Sequence, residues 1–385
     1  MELTRTIHPV GQGGFYTESL KDDNGKEFLV AYDCGGNNKQ FMEDYLKSFI
    51  PDSRDGGRMV IDAVFISHLH ADHINGLKYL LDNRNVYVRH LFLPQITDEM
   101  LIEVLLYNSH INKEDYQQLS DFIFSIREGQ SQYRETKIVE VLPATNDDRI
   151  NVESNNNTFN LSSNDLPRSI SSGANISLGA TLRWLYIPYN PPVRQEEEIR
   201  FSTYLEQMLG LNNLSPNMLP DIVTNNERDI KQYYEDYFKG NHNSYSMTLF
   251  SGLREPDCYH FDSYSRRCMM HRRCGCDLYC RRGIHCTPNC LYTGDFEPTY
   301  INDLKGFYNG LWKTISSIQV PHHGSRNNYH SDLYTYACKG FVSVGTRNRY
   351  HHPNTDTLIN IHRDGCCPII ATEDPSTMYV DRFML

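Results

Sequence analysis

The sequence predicts a layered α/β fold. Short apolar, β-rich runs alternate along the chain with stretches of helical apolar spacing. Several of those runs end at once in His, Asp or Gly, which puts ligand-type groups at the ends of buried strands, where the backbone holds them rigidly. A length of 385 residues suits one α/β domain, residues 1–385, carrying large insertions. Such a chain buries a core without covalent staples.

Taken in order, Leu3–Val10 is strand-like and Gly11-Gln12-Gly13-Gly14 is a tight turn. Phe28–Tyr32 is a β-rich run ending at Asp33-Cys34-Gly35-Gly36, and Gln40–Phe49 has helical spacing. Ile61–Ser67 is a continuous apolar run typical of a buried strand, followed by HLHADH and a helix from Ile74 to Leu81. Val86–Pro94 is a strand, Asp98 to about Glu128 is helical, and Lys137–Leu142 returns to strand. Thr145–Gly179, rich in Asn and Ser, reads as a mobile surface excursion. Thr181–Ile187 resumes the core, and Glu196–Leu209 and Asp221–Phe238 have helical patterns. Ser246–Phe250, Cys290–Thr293, Ser317–Pro321 and Phe341–Gly345 complete the strands. The large, mainly helical insertion is expected over residues 97–240 and a Cys/Arg-rich one over 254–290.

A formal net charge of −11 excludes a generic polyanion binder, so any nucleic-acid site must be a local basic patch or a metal centre. Residues Met1–Val10 lack the apolar core of a signal peptide, and no apolar run reaches the length of a membrane span. The expectation is a cytoplasmic protein with no membrane partner, whose eleven cysteines are thiols or metal ligands.

Ser67-His68-Leu69-His70-Ala71-Asp72-His73 holds three imidazoles and one carboxylate in six consecutive positions. In extended chain His68 and His70 point the same way, while Asp72 and His73, past the bend, can face a second point nearby. Imidazole and carboxylate suit Zn²⁺, Mn²⁺ or Fe²⁺. A chance surface cluster is the bland alternative, and the buried strand just before it argues against that.

HLHADH resembles the H-x-H-x-D-H signature of the metallo-β-lactamase superfamily. The resemblance implies a four-layer αββα sandwich with two metal ions, Zn or Mn, at the edge of its two sheets. It implies His68 and His70 on one ion and Asp72 and His73 on the other. Tyr292-Thr293-Gly294-Asp295 resembles the later element whose Asp295 bridges the ions. One of His322 and His323, in Pro321-His322-His323-Gly324-Ser325, fills the last ligand role, with His322 preferred. The first ion's third ligand should precede a strand between HLHADH and Asp295. His242 fits that place, as does the reading of His242 as a histidine at a helix end. Asp33 is expected to orient the loop rather than bind metal.

Val10-Gly11-Gln12-Gly13, Asn243-x-x-Ser246, Pro321–Ser325 and Val344-Gly345-x-x-Asn348-x-Tyr350-x-His352-Pro353 are together similar to the metallo-β-lactamase-like domain of the bacterial DNA-uptake competence protein. The resemblance covers most of the core but not residues 97–240 or 254–289, and Gly14–Glu18 is more polar than that group's first strand. It implies a metal-dependent nuclease, with Asp72 and Asp295 catalytic and a metal-bridging hydroxide as nucleophile. His352 becomes a general acid or phosphate clamp, or merely a structural loop histidine. Asn243, Ser246 and Ser325 become substrate contacts.

Cys258, Cys268, Cys274, Cys276, Cys280, Cys286 and Cys290 cluster with His260, His271 and His285. Their spacing fits no standard zinc-finger formula, yet so apolar-poor a segment has little else to fold around than one or two structural zinc ions. The alternative is a loop of free thiols. Seven arginines, Arg266, Arg267, Arg272 and Arg273 among them, face four acidic residues over 254–290 and form a candidate nucleic-acid contact.

The leading expectation is a nuclease or phosphodiesterase acting on DNA or RNA, with a protein partner in a defence or DNA-processing complex left open. The second is a hydrolase of a small molecule: a cyclic nucleotide, a phosphorylcholine ester, a lactone or a thioester. A narrow pocket beside the metals would favour it. The third is a zinc-stabilised interaction module with a vestigial site, against which the intact HLHADH and Asp295 argue.

Overall fold

The structure is a computed structural model. It describes residues 1–52, 57–109, 111–128, 133, 135–145, 158–163, 165–179, 183–192, 200, 203–204, 207, 219–237, 246–254 and 287–385. The N-terminal half contains β1 (Glu2–Ile7), β2 (Tyr16–Lys21), β3 (Glu27–Tyr32), α1 (Lys39–Phe49), β4 (Met59–Phe65), α2 (Ala71–Ile74), α3 (Leu77–Asp82), β5 (Val86–Pro94), α4 (Asp98–Asn108), α5 (Lys113–Arg127) and β6 (Lys137–Leu142). Then come β7 (Thr158–Asn160), β8 (Ser169–Ser171), β9 (Asn175–Ser177), β10 (Trp184–Tyr189), α6 (Leu219–Tyr237), β11 (Thr248–Leu253) and β12 (Cys290–Tyr292). The chain closes with α7 (Ile301–Phe307), α8 (Asn309–Trp312), β13 (Ser317–Gln319), β14 (Lys339–Ser343), α9 (Thr355–Arg363), β15 (Cys367–Ala371) and β16 (Tyr379–Met384).

Among the described residues these strands form two eight-stranded sheets, ordered β16-β1-β2-β3-β4-β5-β6-β8 and β15-β14-β13-β12-β11-β10-β9-β7. β16, β1, β2 and β3 pair antiparallel, whereas β3, β4, β5 and β6 run parallel. In the second sheet β10, β11 and β12 are antiparallel and β12 to β15 parallel.

Three apolar seams define four layers. Val64, Leu91 and Leu93 of the first sheet bury against Met42 and Leu46 of α1, Leu105 of α4, Ile123 of α5 and Val223 of α6. Between the sheets, Phe65, Phe92 and Val141 meet Trp184, Tyr186, Leu249 and Phe341. On the far side, Phe250, Ile318 and Val342 bury against Leu304 of α7, Leu311 of α8 and Ile361 of α9. Strands buried on both faces need continuous apolar runs, which is how β4 reads in the sequence. The architecture is the αββα sandwich of the metallo-β-lactamase fold.

Several expectations change. Residues 97–240 are not a helical insertion alone, because β6 to β10 lie within them and extend both sheets. The stretch 145–179 is not surface excursion throughout: β8 pairs with β6, β9 with β10 and β7 with β9, and Ile170, Ile176 and Leu178 are buried. A few alternating apolar residues suffice there because each strand spans only three positions. The helical run from Asp98 breaks between α4 and α5, where the Asn112 side chain caps Asp115 N. Among the described residues no helix is long and apolar enough to cross a membrane.

Candidate metal centre

β4 ends at Phe65, and the chain then turns through Ser67 into the HLHADH loop and α2. Asp33, just past β3, holds that turn. Its carboxylate accepts hydrogen bonds from Ser67 N (2.7 Å), Ser67 Oγ (3.0 Å) and His73 Nδ1 (2.8 Å). From the second sheet, Met247 N donates to Ser67 O at 2.8 Å, and Ser246 Oγ accepts from Asp295 N at 2.9 Å. Both strand ends are thereby tied together. A Cβ on Gly35 would lie 2.3 Å from Asp72 O, so only glycine lets the β3 loop approach the ligand loop so closely.

The loop brings two triads together. His68, His70 and Asp295 form one, and Asp72, His73 and His323 the other, each with potential ligand atoms within 4.8 Å of one another. Asp295 lies between them. Its Oδ1 is 3.3 Å from His73 Nε2 and 4.0 Å from His323 Nε2, and its Oδ2 is 3.6 Å from His68 Nε2.

Hydrogen bonds on the far side of the rings set their orientation. With Asp33 accepting the Ser67 hydroxyl proton, His68 Nδ1–H donates to Ser67 Oγ (2.9 Å), and His323 Nδ1–H donates to the Ser343 carbonyl (2.9 Å). Together with His73 on Asp33, this leaves each Nε2 aimed inward, the arrangement typical of metal-binding imidazoles. His68 Nε2, His73 Nε2, His70 Nδ1 and Asp295 Oδ1 are buried with no hydrogen-bond partner in the protein. Such atoms are costly unless something positive satisfies them. The donor set therefore fits two divalent ions.

The electrostatics agree. Burial lowers His70 to about 3 and His68 well below the ordinary imidazole value, so both offer lone pairs at neutral pH. Burial opposes ionisation of Asp295, but His322, His73 and His68 outweigh it and hold the carboxyl well below its usual range. His73 runs the other way: burial disfavours its charge, yet Asp295, Asp33 and Asp72 raise its pKa. Three carboxylates around one imidazole favour a positive charge there, and a proton and a cation compete for the same Nε2.

His323 rather than His322 completes the second triad, reversing the preference read from the sequence. His323 is buried with Nε2 3.2 Å from Asp72 Oδ2, while the His322 side chain is 25% exposed and 3.8 Å from Asp295 Oδ2. Both histidines have positive φ, 48° and 54°. That left-handed turn swings the second ring inward, and adjacency in sequence could not reveal it. His352 is half-buried, its ring 5.5 Å from that of His322, and burial together with His322 and His323 lowers it to about 4. Asn348 pins this loop, donating to Gly345 O and His352 O and accepting from His352 N. Ser325 is buried, its amide donating to His322 O at 2.9 Å. Cys290 is a core residue: it is buried between the sheets and its thiol is pushed up to about 12 by burial, which separates it from the other cysteines of its cluster. His242, Asn243, Arg266, Arg267, Arg272, Arg273, Cys258, Cys268, Cys274, Cys276, Cys280 and Cys286 lie outside the described residues.

Beside Asp72 opens a cavity of about 460 Å³. α1, α4 and α5 wall one side, and Arg347, Asn348, Arg349 and Tyr350 the other. The sequence held no sign of this pocket, because its walls come from segments about 240 residues apart.

Comparison with known proteins gives a partial family match. A family model described as Anti-Pycsar protein Apyc1 matches residues 11–144. That stretch includes the whole HLHADH loop. None of the curated proteins matches the chain. Among solved structures, the chain is similar to the metallo-β-lactamase fold protein YhfI from Bacillus subtilis, at 8% identity over 97% of each chain and a TM-score of 0.38. It is also similar to the long form RNase Z from yeast, at 12% identity and a TM-score of 0.32, over 96% of this chain and 37% of that one.

Proposed function

We propose that the chain is a dinuclear metal-dependent hydrolase of phosphodiesters. One observation carries the reading: two ligand triads face each other across Asp295, with inward ring nitrogens that no protein group satisfies. His68, His70 and Asp295 would hold one ion, and Asp72, His73 and His323 the other. A bound ion pair supplies Lewis acidity, lowering the pKa of water and neutralising phosphoryl oxygens. The chain's own residues supply the rest. Asp33, Ser67 and Ser343 fix the imidazoles, Ser246 fixes the Asp295 backbone, and neutral His352 stands beside His322 to meet a substrate oxygen.

DNA or RNA cleavage draws support from the Pro321–Ser325 and Val344–Pro353 elements. A second reading, a nucleotide-sized substrate such as a cyclic nucleotide, draws on the cavity. At about 460 Å³ it suits a small ligand, with the exposed Tyr350 ring available to a base and Arg347 and Arg349 to a phosphate. The family match over residues 11–144 favours the same reading.

The test offers 3′,5′-cyclic nucleotides, single- and double-stranded DNA, RNA and an aryl phosphodiester to protein loaded with Mn²⁺ or Zn²⁺, with an Asp72→Ala, His73→Ala control. Metal-dependent cleavage of any phosphodiester, absent in the control, is the expected result. Intact phosphodiesters alongside a hydrolysed lactone or thioester would overturn the assignment.

A further inference from the structure

We infer that the C-terminal end of α4, Tyr107 and Asn108, is a positioning element for the first ligand triad. The inference rests on the metal-dependent reading above. Asn108 is buried, and its side chain makes two hydrogen bonds, both to the HLHADH loop. Its Nδ2 donates to Leu69 O at 3.0 Å and its Oδ1 accepts from Ala71 N at 2.8 Å. The two bonds clasp the backbone on either side of His70, so the φ/ψ of that one residue is held by a single side chain. The neighbouring Tyr107 lies flat on the His70 imidazole, with ring centroids 3.6 Å apart and planes 8° from parallel. One residue therefore sets the His70 backbone and the next sets its ring.

His70 is held differently from the other ligands. His68, His73 and His323 each have Nδ1 tied to Ser67, Asp33 or Ser343, leaving Nε2 to face the ions. In His70 the buried atom without a protein partner is Nδ1, the nitrogen that would meet the ion. The Asn108 clasp and the Tyr107 stack fix the ring so that this nitrogen faces inward. The element is anchored in turn, since the Ser109 hydroxyl lies within hydrogen-bonding distance of Leu106 O (2.7 Å) and Glu227 Oε1 of α6 (3.0 Å) and donates its one proton to either. Tyr107 also lines the cavity beside Asp72.

The experiment measures metal uptake rather than turnover. Zn²⁺ stoichiometry after dialysis, and affinity by chelator competition, are compared for wild type, Asn108→Ala, Asn108→Asp, Tyr107→Ala and Tyr107→Phe, with Co²⁺ absorption as a report on ligand geometry. Orienting groups of this kind are worth about 10–100-fold in metal affinity. The expected result is that Asn108→Ala and Tyr107→Ala weaken one of the two ions by about that factor, with an altered Co²⁺ spectrum, and leave the other ion at wild-type affinity. Tyr107→Phe keeps the stack and should match wild type. Asn108→Asp keeps the acceptor but loses the donor and should fall between. If Asn108→Ala fails to fold, Asn108→Asp and the two Tyr107 variants carry the same comparison. Two ions bound with wild-type affinity in every variant, or both ions loosened equally, would overturn the inference. A wild-type protein that takes up no ion would instead overturn the phosphodiesterase reading, and this inference with it.

Discussion

Replacing Glu18 by glutamine should cost several kcal/mol of stability although the side chain keeps its shape. Glu18 is 2% exposed and sits on β2, facing the second sheet. Its Oε1 accepts from Arg5 Nε at 2.8 Å and from Tyr292 Oη at 2.9 Å, and its Oε2 accepts from Tyr186 Oη at 2.9 Å and Ser251 Oγ at 2.5 Å. Arg5 is fully buried and completes an ion pair to the same carboxylate at 2.7 Å. Every partner is a donor, so an amide must turn its NH₂ toward at least one of them. Volume is unchanged, so no cavity contributes. The cost is that of a buried guanidinium left without its counter-charge, about 3–5 kcal/mol. Against a typical total of about 5–15 kcal/mol, this brings the fold close to its limit. Urea unfolding at pH 7 should show the midpoint falling with the slope unchanged. The double variant Arg5→Met, Glu18→Leu removes the unpaired charge but leaves the Tyr186, Tyr292 and Ser251 hydroxyls without an acceptor, so it should recover only the part of the loss due to the guanidinium and stay less unstable than the summed single changes. A Glu18→Gln protein within about 1 kcal/mol of wild type, or a double variant as unstable as the summed single changes, would refute the reasoning.

Asp33→Asn should lower metal affinity by about 10–100-fold, because it weakens the bonds that orient His73 and Ser67; chelator competition reads this directly. Gly294→Ala should destabilise by about 3 kcal/mol, combining φ = 53° with a Cβ placed 2.3 Å from Ser246 Oγ and 2.5 Å from Ser67 Cβ; calorimetry and zinc content should fall together. His8, pressed between Phe15 and Phe49, is lowered to about 3 by burial. Its folded-state pKa lies below the unfolded value of about 6.5, so the unfolded chain binds the proton first and stability falls as pH drops from about 6.5 toward 3. Between pH 7 and pH 5, wild type should lose about 2 kcal/mol more than His8→Phe; equal losses would remove His8 from the acid response.

The fold was legible where one strand or helix carries its own signal. β4 is a largely apolar run, β5 and β6 are rich in β-branched and aromatic residues, and α1 and α6 show an apolar stripe, so their positions follow from composition and periodicity. β2 hides because Glu18 interrupts it. An acidic residue in a strand reads as solvent-facing, and its partner Arg5 lies on the neighbouring strand with the remaining donors on the opposite sheet. β7, β8 and β9 hide because three-residue strands are too short for a period to register.

The site divides along a related line. Metal ligands must be His, Asp, Glu or Cys, so the HLHADH loop and Asp295 stand out by residue type, and spacing then sorts them. The groups that orient those ligands need only offer a hydrogen bond. Ser67, Ser246, Asn108 and the Ser343 carbonyl do so here, and none differs in sequence from an ordinary cap or turn residue. The choice between His322 and His323 belongs to the same class, since it depends on two left-handed backbone angles. Chemistry that restricts residue type can be read from a sequence, whereas chemistry that restricts only direction mostly requires the fold; Asp33, a carboxylate at a strand end, is the orienting group the sequence did suggest. The affinity differences expected at Asp33 and Asn108 reside in that second, directional part, which is why they are the sharper tests of how this centre is built.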